Sequence, residues 1–211
     1  MYKKGYGNIP NKDKIIYYLE EAYRKRPGRW ISRLFLVGKT AEAMADDLGL
    51  DKDIAFACGA LGKIGLMKSD EKDFLYGYQI LRDEAYFFPA RLAISQAFVI
   101  KDLGLYENIY KLDDKEKEFL EKFLYKYSYT DYDLLVQYLY MIFADEYIGL
   151  ARGMDMYLLD YDEKIRQRYL DLEAYFKERL SKDLESYLPK IKKSKFPYKL
   201  FSNLDKGEPK F

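Results

Sequence analysis

The sequence predicts an all-α protein, a single-domain bundle of several helices. Apolar residues recur at spacings of three and four in many separate segments, which is the period of an amphipathic helix. Capping residues precede several of these segments, and glycine or proline follows others, as expected at helix boundaries. No segment of the sequence alternates apolar and polar residues in the manner of a half-buried strand.

The first half of the chain is predicted to form five helices in succession. Asn11 is placed to cap the first helix, and Pro27-Gly28 ends it. Gly49 ends the second helix, and Asp51 caps the third. The predicted helices run from about Lys12 to Arg26, Trp30 to Leu48 and Ala55 to Met67, then from Ser69 through Leu81, and from a first turn at Pro89 to Phe98.

The second half is predicted to begin with a loop and to continue with three helices. Either Asp113 or Asp114 caps a charged helix, and Thr130 caps the most apolar helix of the chain. Gly149 and Gly153 interrupt the stretch before the last helix, so no definite state is predicted there. The loop is Lys101–Leu112, the helices end near Tyr127, Ala144 and Leu188, and the interrupted stretch is Asp145–Asp160.

The composition narrows the classes of partner. Lys+Arg number 36 and Asp+Glu 35, so no basic excess points to a nucleic acid or membrane partner, and we predict neither. No run of about 18 apolar residues is present. Together with the single Cys58, this favours the cytoplasm. The predicted domain covers residues 1–189, and residues 190–211 form a basic and aromatic tail, either a partner-binding patch or a docked or loose terminus.

Residues 55–67 are the stretch around which the fold is expected to be organised. They read Ala-Phe-Ala-Cys-Gly-Ala-Leu-Gly-Lys-Ile-Gly-Leu-Met, which is small and aliphatic with one charge. The segment resembles the central motif of the HD superfamily of metal-dependent phosphohydrolases, in which a similar helix ends in His-Asp-Ile-Gly. The matching residues are Gly62-Lys63-Ile64-Gly65, so the frame of the motif is kept and its two metal ligands are replaced.

The resemblance extends over about residues 29–155, and every metal-ligand position in it has changed. Histidine is absent from the whole chain, whereas tyrosine occurs 23 times. The segments that resemble the family are 29–33, 48–51, 73–81, 94–98 and 131–140. At the positions where the family carries His, the His-Asp pair, two further His and a final Asp, this chain carries Arg33, Gly62 and Lys63, Asp73 and Gln96, and Tyr140.

These replacements predict that metal-dependent phosphohydrolase activity is lost. Glycine has no donor side chain, and lysine and arginine repel a divalent cation, whereas the family's chemistry needs the metal to polarise phosphate and activate water. We therefore predict no metal and no other cofactor. Either engineering or natural divergence accounts for such a set of changes.

The replaced positions are expected to converge on one cavity, because the segments that hold them are retained. Its predicted walls are Leu66, Met67, Met141, Phe143, Tyr147 and Met154. The leading hypothesis is a binding site for a small, largely apolar or aromatic molecule. Arg33 and Lys63 could instead hold a phosphate or carboxylate group.

Two other classes of function stay open. One is an enzyme in which Lys63 forms a Schiff base and Tyr140 or Asp73 transfers protons. The other is a catalytically inactive regulatory or interaction module without a ligand. The alternative to a catalytic role of Lys63 is a structural ion pair with Asp73.

Overall fold

The computed structural model describes residues 1–190, and the predicted all-α fold is confirmed for that part of the chain. Apart from Lys190, the predicted tail lies outside the described residues. The strands and helices are β1 (Tyr2–Lys3), β2 (Gly7–Asn8), α1 (Lys12–Lys25), α2 (Trp30–Met44), α3 (Lys52–Leu61), α4 (Asp73–Asp83), α5 (Phe87–Ser95), α6 (Asp114–Lys126), α7 (Asp131–Ile142), α8 (Leu150–Tyr157) and α9 (Glu163–Arg179). Short 3-10 turns cover Ile64–Met67, Leu103–Tyr106 and Leu184–Tyr187.

The predicted helix caps account for the starts of α1, α3 and α6. The Asn11 side chain accepts a hydrogen bond from Lys14 N at 2.9 Å, which satisfies a free donor at the start of α1. Asp51 does the same for α3. Of the two candidates at α6, Asp113 is the cap, and it forms a reciprocal capping box with Glu116.

A small hairpin at the N-terminus is absent from the prediction. The strands β1 and β2 are antiparallel, and Tyr2 pairs with Asn8 and Lys3 with Gly7. Two residues are too few to display an alternating pattern, so the sequence carries no strand signal here. Lys3 Nζ lies 2.7 Å from an Asp51 carboxylate oxygen, which ties the hairpin to the cap of α3.

Four predicted helix boundaries are wrong by four residues or more. The second helix ends at Met44 rather than Leu48. The organising helix ends at Leu61, and the chain then makes a 3-10 turn before α4 begins at Asp73 instead of Ser69. The cause lies in a close backbone approach, since a Cβ atom on Gly65 would lie 1.8 Å from the Asp73 carbonyl oxygen. The last helix ends at Arg179, well before the predicted Leu188.

The interrupted stretch before the last helix contains α8. Gly149, which precedes α8, has a φ of +78°, a left-handed conformation that glycine adopts without strain. Gly153 lies so close to α7 that an added Cβ atom would be 1.8 Å from the Met141 carbonyl oxygen. The two glycines therefore turn the chain and press α8 against the end of α7.

Helices α2 and α3 pack face to face in the centre of the protein. A Cβ atom on Gly59 would lie 2.8 Å from the Gly38 Cα atom, so two glycines let the helix backbones approach closely. Cys58 is buried in this core as a free thiol. Within residues 1–190, no helix is both long and apolar enough to cross a membrane.

The early end of α9 is explained by a contact far away in the sequence. The Asp47 carboxylate, just beyond α2, accepts hydrogen bonds from Ser181 N at 2.7 Å, from Ser181 Oγ at 2.5 Å and from the Tyr187 hydroxyl. The segment after α9 therefore folds back onto α2 instead of continuing as a helix.

This contact predicts a dependence of stability on acid. The hydrogen bonds from Ser181 and Tyr187 lower the pKa of Asp47 from 3.8 to about 2. Because the pKa is lowered in the folded state, the ionised Asp47 carboxylate stabilises the fold at pH values above 3.8. This stabilisation is lost as the pH falls through about 2. We expect the thermal midpoint of Asp47→Asn to lie below that of the parent chain at pH 5, and the gap to close towards pH 2. A gap that stays constant over this range would contradict the proposed contact.

Candidate functional site

A cavity of about 230 Å³ lies where the ends of several helices meet. Arg33 comes from α2, Lys63 follows α3, and Asp73 is the first residue of α4. Gln96 follows α5, and Tyr140 lies near the end of α7. The other lining residues are Asp70, Ala97, Val99, Tyr106, Tyr110, Met141, Tyr157, Leu158, Tyr161, Ile165 and Tyr169.

The structure brings together five of the six replaced ligand positions, all except Gly62, and one of the predicted wall residues, Met141. It places the other predicted wall residues outside the lining of the cavity, so that part of the prediction is wrong. Those residues, with Gly62, are Leu66, Met67, Phe143, Tyr147 and Met154.

Local geometry explains the misplaced wall residues. Leu66 and Met67 belong to the 3-10 turn, so they do not continue the helical face that carries Lys63. Phe143 and Tyr147 form an edge-to-face ring pair with centroids 5.8 Å apart. Met154 lies inside α8, and its partly buried side chain packs against the hydrophobic core.

Lys63 and Asp73 form an ion pair at the cavity. Lys63 Nζ donates to Asp73 Oδ2 at 3.1 Å, and the two side chains are 19% and 5% exposed. Asp73 also stands in the first turn of α4, where the helix dipole favours a negative charge. The amine that a Schiff-base mechanism would use is therefore held by a carboxylate.

Arg33 is a largely buried cation whose direct contacts are uncharged. Its guanidinium donates to the Tyr140 carbonyl oxygen and lies 4.2 Å from the Tyr157 ring centroid and 5.4 Å from that of Tyr140. Its Nε is buried without a hydrogen-bond partner among residues 1–190. Burial lowers the pKa of Arg33, and the attraction of Tyr157, Tyr140 and Asp73 opposes that effect.

Tyr140 closes the end of α3. Its hydroxyl donates to the Gly59 carbonyl oxygen at 2.7 Å and accepts from Lys63 N at 3.2 Å. Burial raises the pKa of Tyr140. Its proton is thus directed to a backbone carbonyl, which is a structural arrangement and a poor one for the proton transfer expected from the sequence.

The Tyr140 ring occupies the space left by the absent side chain of Gly62. A Cβ atom on Gly62 would lie 2.8 Å from Tyr140 Cε2, and 3.1 Å from the Cys58 carbonyl oxygen. We expect Gly62→Ala to lower the free energy of unfolding by about 1–3 kcal/mol through overpacking. The loss should be smaller in a Tyr140→Leu background, measured by urea unfolding of the four chains of a double-mutant cycle. An equal loss in both backgrounds would contradict this packing.

A buried polar network, missed in the sequence, fixes the position of Gln96. Asp133 on α7 accepts a hydrogen bond from Ser95 Oγ at 2.6 Å, and Gln137 Nε2 donates to the Ser95 carbonyl oxygen at 2.8 Å. Arg91 also pairs with Asp133, at 2.6 Å. The network holds the end of α5 against α7. A signal was present, since Asp133 lies within the segment that resembles the family.

Tyrosines supply most of the ring surface of the cavity. Only one of them was predicted from the motif. The six are Tyr106, Tyr110, Tyr140, Tyr157, Tyr161 and Tyr169. The high tyrosine content of the sequence was the available signal, but it does not tell which tyrosines meet.

The residues of the cavity do not fit the metal that the family resemblance implies. Two of the replaced positions carry cations, one carries no side chain and one carries a tyrosine whose hydroxyl is already hydrogen bonded. In the part of the chain that the structure describes, no group of three or more His, Cys, Asp or Glu side chains is placed to hold a metal ion. The loss of phosphohydrolase activity stays a prediction that an assay decides.

No family model, no curated protein and no solved structure matches this chain. The likeness to the HD superfamily therefore rests on the quoted motifs.

Proposed function

We propose that this protein is a metal-free binding protein on an HD-like helical scaffold, and that its cavity takes a small aromatic ligand. The observation that supports this most directly is the convergence of the replaced positions on one cavity of about 230 Å³. This volume lies below the roughly 300–1,000 Å³ of sites for drug-sized ligands, which favours a small ligand.

The chemistry of the walls favours an aromatic ligand over an aliphatic one. Tyrosine offers a ring face for stacking and a hydroxyl for hydrogen bonding. The aliphatic and methionine side chains predicted as walls lie mostly elsewhere, and six tyrosines line the cavity. The proposed ligand is thus aromatic and polar at one end, and less apolar than the sequence suggested.

The alternatives are less well supported. For an enzyme with Lys63 as the nucleophile, the pairing with Asp73 and the hydrogen bond from Tyr140 to Gly59 are unfavourable. For an inactive module, a closed and packed cavity is expected, whereas open volume is found. We propose that the binding protein is cytoplasmic, on the grounds of its single cysteine, Cys58, which is a buried free thiol.

Thermal unfolding against a panel of small aromatic molecules and divalent metals tests the proposal. A ligand at a hundredfold excess over its dissociation constant stabilises the folded state by about 2.7 kcal/mol, or roughly 5 to 10 °C for a chain of this size. The variant Ala97→Phe fills the cavity and should abolish the shift. The matched variant Ala151→Phe, at an exposed site on α8, should keep it.

Two results would overturn the proposal. One is phosphatase activity that appears with Mn²⁺ or Mg²⁺ and disappears with a chelator. The other is a carbonyl compound trapped on Lys63 by borohydride, which would establish the amine enzyme instead.

A further inference from the structure

Within the described residues, 1–190, the direct contacts around the cavity leave the cation of Arg33 without a carboxylate partner. Asp73 pairs with Lys63 at 3.1 Å. Asp70, at the exposed edge, pairs with Arg26 outside the cavity lining. The direct contacts of Arg33 are a carbonyl oxygen and two tyrosine rings, none of which is an anion. Among residues 1–190, Arg33 therefore has no carboxylate in direct contact, and Asp73, which attracts it from further away, is paired with Lys63.

Such a cation is unfavourable in the free protein. Burial removes water from the guanidinium, and Nε has no hydrogen-bond partner among the described residues. The guanidinium is a planar group with several donors, and it matches the two oxygens of a carboxylate in a bidentate pair. An anion in the cavity would thus relieve a cost that the folded chain already bears.

The Arg33 side chain is also held in position before any ligand arrives. The Tyr157 ring lies 4.2 Å from the guanidinium carbon, and the Tyr140 carbonyl oxygen accepts one of its N–H groups. An anchor that is already ordered loses little conformational freedom when a ligand binds, and this improves affinity.

We infer that the ligand is a small aromatic monocarboxylate whose carboxylate pairs with Arg33 while its ring lies among the tyrosines. The inference rests on the proposed small-ligand function and names the ligand class. Size restricts the ring part, because about 230 Å³ lies below the roughly 300–1,000 Å³ of sites for drug-sized ligands and so favours a ligand of about one ring with a carboxylate. The single positive charge of Arg33 restricts the ligand to a monoanion. A dianion such as a phosphate monoester would leave one buried negative charge unpaired.

Isothermal titration of the full chain with benzoate, phenylacetate and 4-hydroxybenzoate tests this inference. The neutral amides of these acids and phenyl phosphate serve as comparison probes. We expect at least one carboxylate to bind about tenfold or more tightly than both its amide and phenyl phosphate.

Two arginine variants on the same helix region separate the anchor from a general charge effect. Arg33→Met should remove the preference for carboxylate over amide, whereas Arg29→Met should keep it, since the Arg29 side chain is 76% exposed and pairs with Asp145. Arg33→Lys keeps the charge without the bidentate geometry and should retain only part of the preference. Thermal unfolding of each variant, and amide binding by Arg33→Met, check that the cavity is intact.

The outcomes separate the inference from the proposed function. If amide and acid bind the parent chain equally and Ala97→Phe abolishes both, the cavity binds aromatics and the role of Arg33 is wrong. If phenyl phosphate binds more tightly than every carboxylate, the monocarboxylate class is wrong. If none of the probes nor any member of the wider panel binds, both proposals fail.

Discussion

Replacing Gly65 with alanine is expected to lower the free energy of unfolding by about 3 kcal/mol or more. The added Cβ atom would lie 1.8 Å from the Asp73 carbonyl oxygen and 2.5 Å from Gly77 N. Both are backbone atoms of α4, so no side-chain rotation relieves the clash. The start of α4 must move, and Asp73 moves with it, away from Lys63.

Denaturant unfolding measures this loss, and Gly104→Ala is the matched control. A Cβ atom on Gly104 would meet only the Asp102 side chain, at 3.2 Å. Since Gly104 is in an exposed turn, its replacement should change the free energy of unfolding by at most about 1 kcal/mol. A loss for Gly65→Ala as small as that of Gly104→Ala would show that the close approach of the 3-10 turn to α4 is wrong.

The parts of the fold that the sequence predicts well are those set by local chemistry. Asn11 and Asp51 cap the helices predicted for them, because a cap needs only a side-chain oxygen and the next few backbone N–H groups. The end of α9 depends instead on Asp47 meeting Ser181 and Tyr187. A contact between residues so far apart in the sequence leaves no periodic signal. The apolar pattern of the sequence therefore predicts a last helix that is longer than the observed α9.

In the candidate site too, some residues are predicted from the sequence and others depend on tertiary packing. The motif resemblance predicts which segments of the chain meet. It therefore predicts correctly that one cavity is lined by Arg33, Lys63 and Tyr140. Tyr161 and Tyr169 come from the start of the last helix and the turn before it, whose packing over the cavity is a tertiary property. Sequence periodicity does not show what these residues face.

Removing the carboxylate of Asp133 is expected to have the largest effect of any single change near the site. Its side chain is fully buried and accepts hydrogen bonds from Arg91, Ser95 and Thr130 at 2.6 to 2.7 Å. Asp133→Ala leaves the Arg91 guanidinium, only 14% exposed, without its counter-charge. Breaking a buried ion pair from one side costs about 3–5 kcal/mol, which denaturant unfolding would detect.

The two halves of this ion pair are not equivalent, and this provides the test. In Arg91→Met, the Asp133 carboxylate still accepts hydrogen bonds from Ser95 and Thr130. The Arg91→Met variant should therefore lose less free energy of unfolding than Asp133→Ala. In the Asp133→Ala protein, Arg91→Met should cost little or restore stability, because it removes an unpaired buried cation. If Arg91→Met cost as much in that protein as in the parent chain, the two residues would not act as a pair. The attachment of α5 to α7, and with it the position of Gln96 at the cavity, would then need another cause.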